Sequence, residues 1–236
     1  MIRLKKLLEN VLAERVSDVV FHTTDIDALI EIVESDTFIM SPLSDTDEVD
    51  IAWAKDAGLL DYYYMSVARS VTSDYVLEHS SNIVFRLDGR RLNANMKSIS
   101  YDYTAQRVRI GDDRPGEVED EMEDRVLSKK PEIKGFSKYI TGVYIPTGLI
   151  MEIVASRGGE YEADDLTDVI QKLAGMGVEI YNCSVRGYID MVKGGDDENA
   201  VSMISSDDSN PTFNSKCKTN IDDFIRMVTD MADYYE

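Results

Sequence analysis

The sequence predicts an α+β fold built around a mixed sheet. Short segments of alternating or continuous apolar residues mark many strands, while helical periodicity marks only a few helices. The two kinds do not alternate strictly along the chain, as a doubly wound parallel sheet would require. Of the 236 residues 43% are hydrophobic, enough for a proper core in one large domain, or in a domain with a small appendage.

Taken in order, Leu4, Leu7, Leu8, Val11 and Leu12 recur at helical spacing within 3–16. Asp18–His22 reads as a short buried strand, and Thr24 or Asp25 caps a helix over 26–34. Thr37–Met40 is a strand ended by Ser41-Pro42. A helix carrying Trp53 follows near 48–58, then a strand at Tyr62–Val67 and a helix over 69–81. Asn82–Leu87 alternates as a strand and stops at the turn signal Asp88-Gly89. Lys97–Tyr103, Glu121–Ser128, Tyr139–Ile145 and Val178–Tyr181 are further strands. A helix over 162–174 ends at Gly175–Gly177. The polar loop 104–117 precedes the acidic strand and is placed to gate a site. These elements make up a domain over 1–193, followed by an acidic linker at 194–218 and an amphipathic C-terminal helix within 219–236.

Charge narrows the function classes. The chain has 25 basic and 45 acidic residues, a net charge of -20. Such a surface repels nucleic-acid phosphates and anionic lipid, so no broad nucleic-acid-binding face is expected. An enzyme with a local positive pocket remains open, and so does an acidic protein that occupies another protein's nucleic-acid site. No apolar run approaches the roughly 20 residues needed to span a membrane, so no membrane partner is expected. The N-terminal stretch has charges inside its apolar run and no cleavage pattern, so it does not read as a signal peptide. Cys183 and Cys217 have no metal-ligand spacing, and His22 and His79 alone cannot build a His-rich zinc site. A cytoplasmic location without a metal is expected. Neither familiar phosphate-cradling glycine motif occurs.

Three places could carry chemistry. His22 ends a buried strand and is followed by Thr23 and Thr24, so a ring nitrogen there can meet a ligand hydroxyl; the plain alternative is a hydrogen-bonded core histidine. In the next strand, alternation sets Tyr62, Tyr64 and Ser66 on one face and Tyr63, Met65 and Val67 on the other. Phenols and a hydroxyl suit a flat ring, and Arg69 beyond them suits a phosphate; an ordinary half-exposed strand is the alternative. Glu121, Glu123 and Arg125 share one face of the acidic strand, opposite Met122, Asp124 and Val126. A cation holds a neighbouring carboxylate ionised, and an ionised glutamate stabilises the oxocarbenium-like transition state of glycosidic cleavage. A surface strand of ion pairs is the alternative.

The order of these segments, His-Thr-Thr, then Tyr-x-Ser-x-x-Arg-Ser, then Glu-x-Glu-Asp-Arg, resembles the ADP-ribosyltransferase superfamily from about Asp18 to Ile145. More loosely it is similar to small phage-encoded proteins with His-x-Thr, Ser-x-x-Arg-Ser, Leu-Asp-Gly and Glu-Asp-Arg in that order. The resemblance implies a split mixed sheet whose three motif strands line a cleft for NAD, with His22, Ser66 and Glu123 converging there. It also implies transfer of ADP-ribose to a protein or nucleic-acid acceptor, a host factor if the chain is phage-encoded. His22 with Thr23 would contact the adenosine ribose, and Tyr62 or Tyr64 would stack near the nicotinamide. Ser66 would brace the glutamate or the nearer ribose, Glu123 would be the catalytic carboxylate, and Glu121 would assist the acceptor. The sequence departs from the family pattern by pairing a first-motif His with Glu-x-Glu and by lacking Ser-Thr-Ser, so the resemblance does not imply an acceptor. Two other readings stand beside it: an inactive acidic binding protein, and an accessory virion protein that assembles through its C-terminal helix.

Overall fold

The computed structural model describes residues 16, 18–45, 52, 54–55, 58–69, 83–102, 107–108, 122–155, 163–182 and 218–235. All but the last residue of the predicted element at 3–16, most of 48–58, all but the first residue of 69–81, most of 104–117, and the linker to residue 217 lie outside them.

The apolar run Val19-Val20-Phe21 opens β1 (Val19–Thr24), with Val20 and Phe21 buried. Helix α1 (Ile26–Ser35) starts where the Asp25 carboxylate accepts from the Ala28 N–H at 2.8 Å, and it buries Leu29, Ile30, Ile32 and Val33. It ends at Asp36, left-handed at φ 50°, whose carbonyl accepts from the amides of Gly135 and Phe136. Two short strands follow, β2 (Thr37–Ile39) and β3 (Ser41–Pro42), then β4 (Tyr63–Ala68) and β5 (Ile83–Asp88). Helix α2 (Gly89–Asn95) leads to β6 (Lys97–Asp102), β7 (Arg107–Val108), β8 (Met122–Ser128), β9 (Glu132–Lys134) and β10 (Ile140–Tyr144). Helices α3 (Thr147–Ala155) and α4 (Ala163–Gly175), strand β11 (Glu179–Tyr181) and helix α5 (Ile221–Tyr235) complete the order.

The fold is α+β. One mixed sheet runs β11-β10-β5-β1-β4-β8-β6-β7, with β3 added beside β4; β2 and β9 form a separate two-stranded sheet. Only β10 and β11 pair in parallel; the other pairs are antiparallel. One face packs on the helices: Val20, Val67, Phe85, Val126, Val143 and Ile180 meet Leu29, Ile150, Leu166, Leu173, Phe224 and Val228 in the main core. On the other face Ile99 and Leu127 join Leu43, Ala54 and Leu59 in a smaller cluster. That face also carries an aromatic row in which Tyr144 and Tyr181 stack with ring centres 4.5 Å apart. The Tyr181 ring crosses Gly142 so closely that a Cβ there would sit 2.8 Å from its Cε2, which accounts for glycine inside this strand.

Three features differ from the sequence expectation. Asp88-Gly89 is a helix start rather than a plain turn: the Asp88 carboxylate accepts from the Arg91 N–H at 3.1 Å, and a capping Asp before Gly reads like either device. Thr147–Ala155 is too uniformly apolar to show a helical period, so α3 left no trace in the pattern. Ser41-Pro42 ends one strand but also pairs with Tyr63 and Tyr64 as β3.

The C-terminal helix is part of the main core. The Thr219 N–H donates to the Ile180 carbonyl at 3.0 Å, which ties the chain back to β11. Phe224 and Val228 are then buried against α3 and α4. Phe224→Ala is therefore expected to cost about 3–5 kcal/mol in urea unfolding. A loss below about 1 kcal/mol would mean that the helix does not complete the core.

Candidate functional site

The three motif strands are consecutive neighbours, β1-β4-β8. Six residue pairs join β4 to β8, and six join β1 to β5 on its other side. Between β1 and β4 the structure has one pair, Phe21 with Ala68. Continued regularly, the register would set Thr23 against Ser66, and that pair does not form. The Ser66 carbonyl instead lies 2.7 Å from His22 Nδ1. A carbonyl only accepts, so Nδ1 carries the proton and Nε2 keeps its lone pair. Nε2 has no partner among the described residues.

His22 is half-buried, and its ring stands edge-on to Phe38 with centres 5.0 Å apart. Loss of hydration pushes its pKa down to about 4, against a smaller opposing effect of the Ser66 carbonyl. The imidazole is thus neutral at pH 7 and serves as a donor to the backbone.

Alternation sorts the other candidates. Phe21 and Ala68 share a face, and Glu123 takes the register position opposite Ala68. Position 123 therefore belongs to the same face as Thr23, Tyr64, Ser66 and Arg125, and His22 belongs to the face turned towards the helices. Thr23 is buried, and Ser66 sits opposite Arg125 in the ladder. The structure thus groups Thr23, Tyr64, Ser66 and position 123 on one face; His22 reaches this group from behind, through the backbone of Ser66. Glu121 lies outside the described residues.

The two phenols carry cations. The Arg125 guanidinium sits 4.5 Å from the Tyr64 ring centre, and Lys129 Nζ sits 5.1 Å from that of Tyr62. Both rings also pack on the smaller apolar cluster.

Arg69 is on the helix-side face with Asp124. Its Nη2 lies 2.6 Å from Oδ1 and its Nε 2.9 Å from Oδ2, with the two side chains 9% and 3% exposed. A guanidinium held this way is not offered to a phosphate. The pairing also explains an acid on an otherwise apolar face: Asp124 lies between Met122 and Val126 in the sequence, and an ion so placed needs a buried partner. That misplaced charge was the available signal for Asp124, which the motif reading passed over in favour of its glutamate neighbours.

Among the described residues no three His, Cys, Asp or Glu side chains cluster as metal ligands, and no helix is long and apolar enough to cross a membrane. Comparison with known proteins adds no relative: no family model matches the chain, nor does any curated protein or solved structure.

Two outcomes follow from this geometry. Asp124→Asn should cost roughly 3 kcal/mol, because it leaves the Arg69 charge buried without its counterion, and Arg69→Met with Asp124→Leu should recover much of that loss. Single and double variants that unfold alike would contradict the pairing. At His22 the unfolded chain takes up a proton as pH falls from about 6.5 towards 4, and the folded chain does not. Stability at His22 is thus fully present above pH 6.5 and declines below it by up to roughly 3 kcal/mol. His22→Gln, melted beside the wild type from pH 7 to 4.5, should lose less stability across that range. Parallel curves would show that His22 does not titrate as described.

Proposed function

We propose that the protein transfers ADP-ribose from NAD to a macromolecular acceptor, with the carboxylate of Glu123 as the catalytic group. The single observation that supports this reading most is the adjacency of the three motif strands, with the sheet nearly parted between the first and second. In this reading an extended ligand lies along the face of that sparsely paired stretch. Grouping Ser66, Tyr64 and Thr23 on the face of position 123 further supports it.

In this reaction the bond between ribose C1′ and the nicotinamide nitrogen breaks. Nicotinamide leaves with the bonding pair as a neutral molecule, and C1′ carries a delocalised positive charge. The Glu123 carboxylate stabilises that charge. The acceptor's nucleophile then bonds to C1′ and releases its proton, with Glu121 as the accepting base. Ser66 holds the ribose side and Tyr62 or Tyr64 borders the nicotinamide. His22 acts by fixing the Ser66 backbone with its neutral Nδ1–H, because its register position lies on the other face. His22 and Arg69 are accordingly positioning groups in this reading, not contacts to the ribose or the pyrophosphate.

The test follows nicotinamide release and label transfer from NAD in cell lysate. Wild type should label an acceptor, and Glu123→Gln should lower the rate by roughly 100-fold or more, the scale of losing one charge-stabilising group. Equal labelling by the two would remove Glu123 from the role. No NAD binding by wild type would remove the reaction altogether and leave the acidic binding protein, which the net charge of -20 favours.

A further inference from the structure

Away from this site, the chain's charge reverses over one short stretch. Residues 129–138 contain Lys129, Lys130, Lys134 and Lys138 against one acid, Glu132, in a protein with 45 acidic and 25 basic residues. Lys129, Lys130 and Lys134 line a cleft of about 690 Å³ where β8 ends and β9 begins, with Glu132 among them; the Lys129 ammonium turns away to Asp61 and the Tyr62 ring. Its wall includes Met96 and Ile133, with Ser128 beside them. The volume is within the roughly 300–1,000 Å³ range of small-molecule sites.

The lysines are only lightly neutralised. Lys129 Nζ lies 3.2 Å from Asp61 Oδ2, and Lys134 Nζ lies 3.1 Å from Glu132 Oε1. Both are well-exposed pairs, of the kind that contribute little and exchange readily. Lys130 has no ion pair among the described residues; its N–H donates to the Ser128 hydroxyl oxygen at 2.9 Å, which fixes the turn that presents it. A concave, partly apolar wall concentrates the field of such cations. Ammonium groups act as point charges for phosphate, and half-buried Met96 offers an apolar surface to a base or sugar.

We infer that this cleft binds a nucleoside phosphate, with Lys130 and Lys134 on the phosphate and Met96 against the nucleoside. The same chemistry is presented by a free nucleotide and by the 5′-phosphorylated end of a strand. The inference does not depend on ADP-ribosyl transfer, since Lys130, Lys134 and Met96 have no part in that reading.

The test is calorimetric titration of the full chain at low salt with AMP, ADP, adenosine and a 5′-phosphorylated trinucleotide, in wild type and in Lys130→Gln with Lys134→Gln. ADP should bind more tightly than AMP, and adenosine weakly. The double variant should lose roughly tenfold or more in affinity for ADP, the scale of one or two charge-assisted contacts, while its melting temperature stays near that of wild type. Raising salt should weaken binding. Tighter binding of AMP than of the trinucleotide assigns the site to a free nucleotide, and the reverse assigns it to a strand end. Equal binding of ADP and adenosine, an unaffected double variant, or no binding of any phosphate would overturn the inference. Weakened ADP binding by the double variant, with its label transfer from NAD unchanged, separates this cleft from the proposed NAD site.

Discussion

The structure depends on how β1 meets β4. These strands hold the middle of the sheet, yet one residue pair joins them, where their outer neighbours are zipped over six. Where a ladder stops, its buried backbone groups take other partners. His22 supplies one: its ring donates to the Ser66 carbonyl that a regular ladder would have paired with Thr23. This role requires a proton on Nδ1 and a neutral ring, and the burial that lowers the pKa secures the neutral form. Position, tautomer and charge state at His22 are thus set by one constraint.

The buried Arg69–Asp124 pair extends the same region on the helix side. It brings a full positive and a full negative charge into an apolar face, and desolvation makes this an expensive arrangement unless the geometry is good. Three close contacts to one carboxylate supply that geometry. Arg69 follows β4 and Asp124 lies in β8, so the pair clamps those two strands beyond the end of the β4 apolar stretch. The opposite face of the same strands has Tyr64 under Arg125 and the Ser66 row. Two arginines thus flank one sheet segment from opposite sides, one held by a carboxylate and one by a ring.

Most strands and their faces were legible because each is governed by a local period. The alternation at 62–67 separates Met65 and Val67, which enter the main core, from Tyr62 and Tyr64, which border the smaller cluster. Helix α1 was legible for the same reason, while its cap stood open between Thr24 and Asp25 until the structure gave it to Asp25. The pairing of strands was not, because register between β1 and β4 is decided by residues 47 apart, and nothing in either segment announces that the ladder fails after one pair. His22 illustrates the difference. Its strand and its neighbours could be read, but whether it faced Ser66 or stood behind it depended on that register. Asp124 was legible in principle as an acid on an apolar face, and Lys129 to Lys134 as a cationic run in an anionic chain. The cleft between the lysines and Met96 was not, since Met96 comes from a different part of the sequence.

The sparse pairing invites a division of the sheet into two halves, one of β11, β10, β5 and β1, the other of β4, β8, β6 and β7 with β3. The order of the chain forbids it. From β1 it passes to the second half for β3 and β4, returns for β5, leaves again for β6, β7 and β8, and returns for β10 and β11. The halves are laced together by these crossings, so no cut at one point of the chain yields either half whole. A fragment ending after β5 lacks β8 beside β4, and one beginning at β6 lacks β1 and β5. What holds the two halves together is these crossings and the shared core, in which Met65, Val67 and Val126 of one half pack with Val20, Phe85 and Val143 of the other. The gap can be sparsely bonded without the protein becoming two domains.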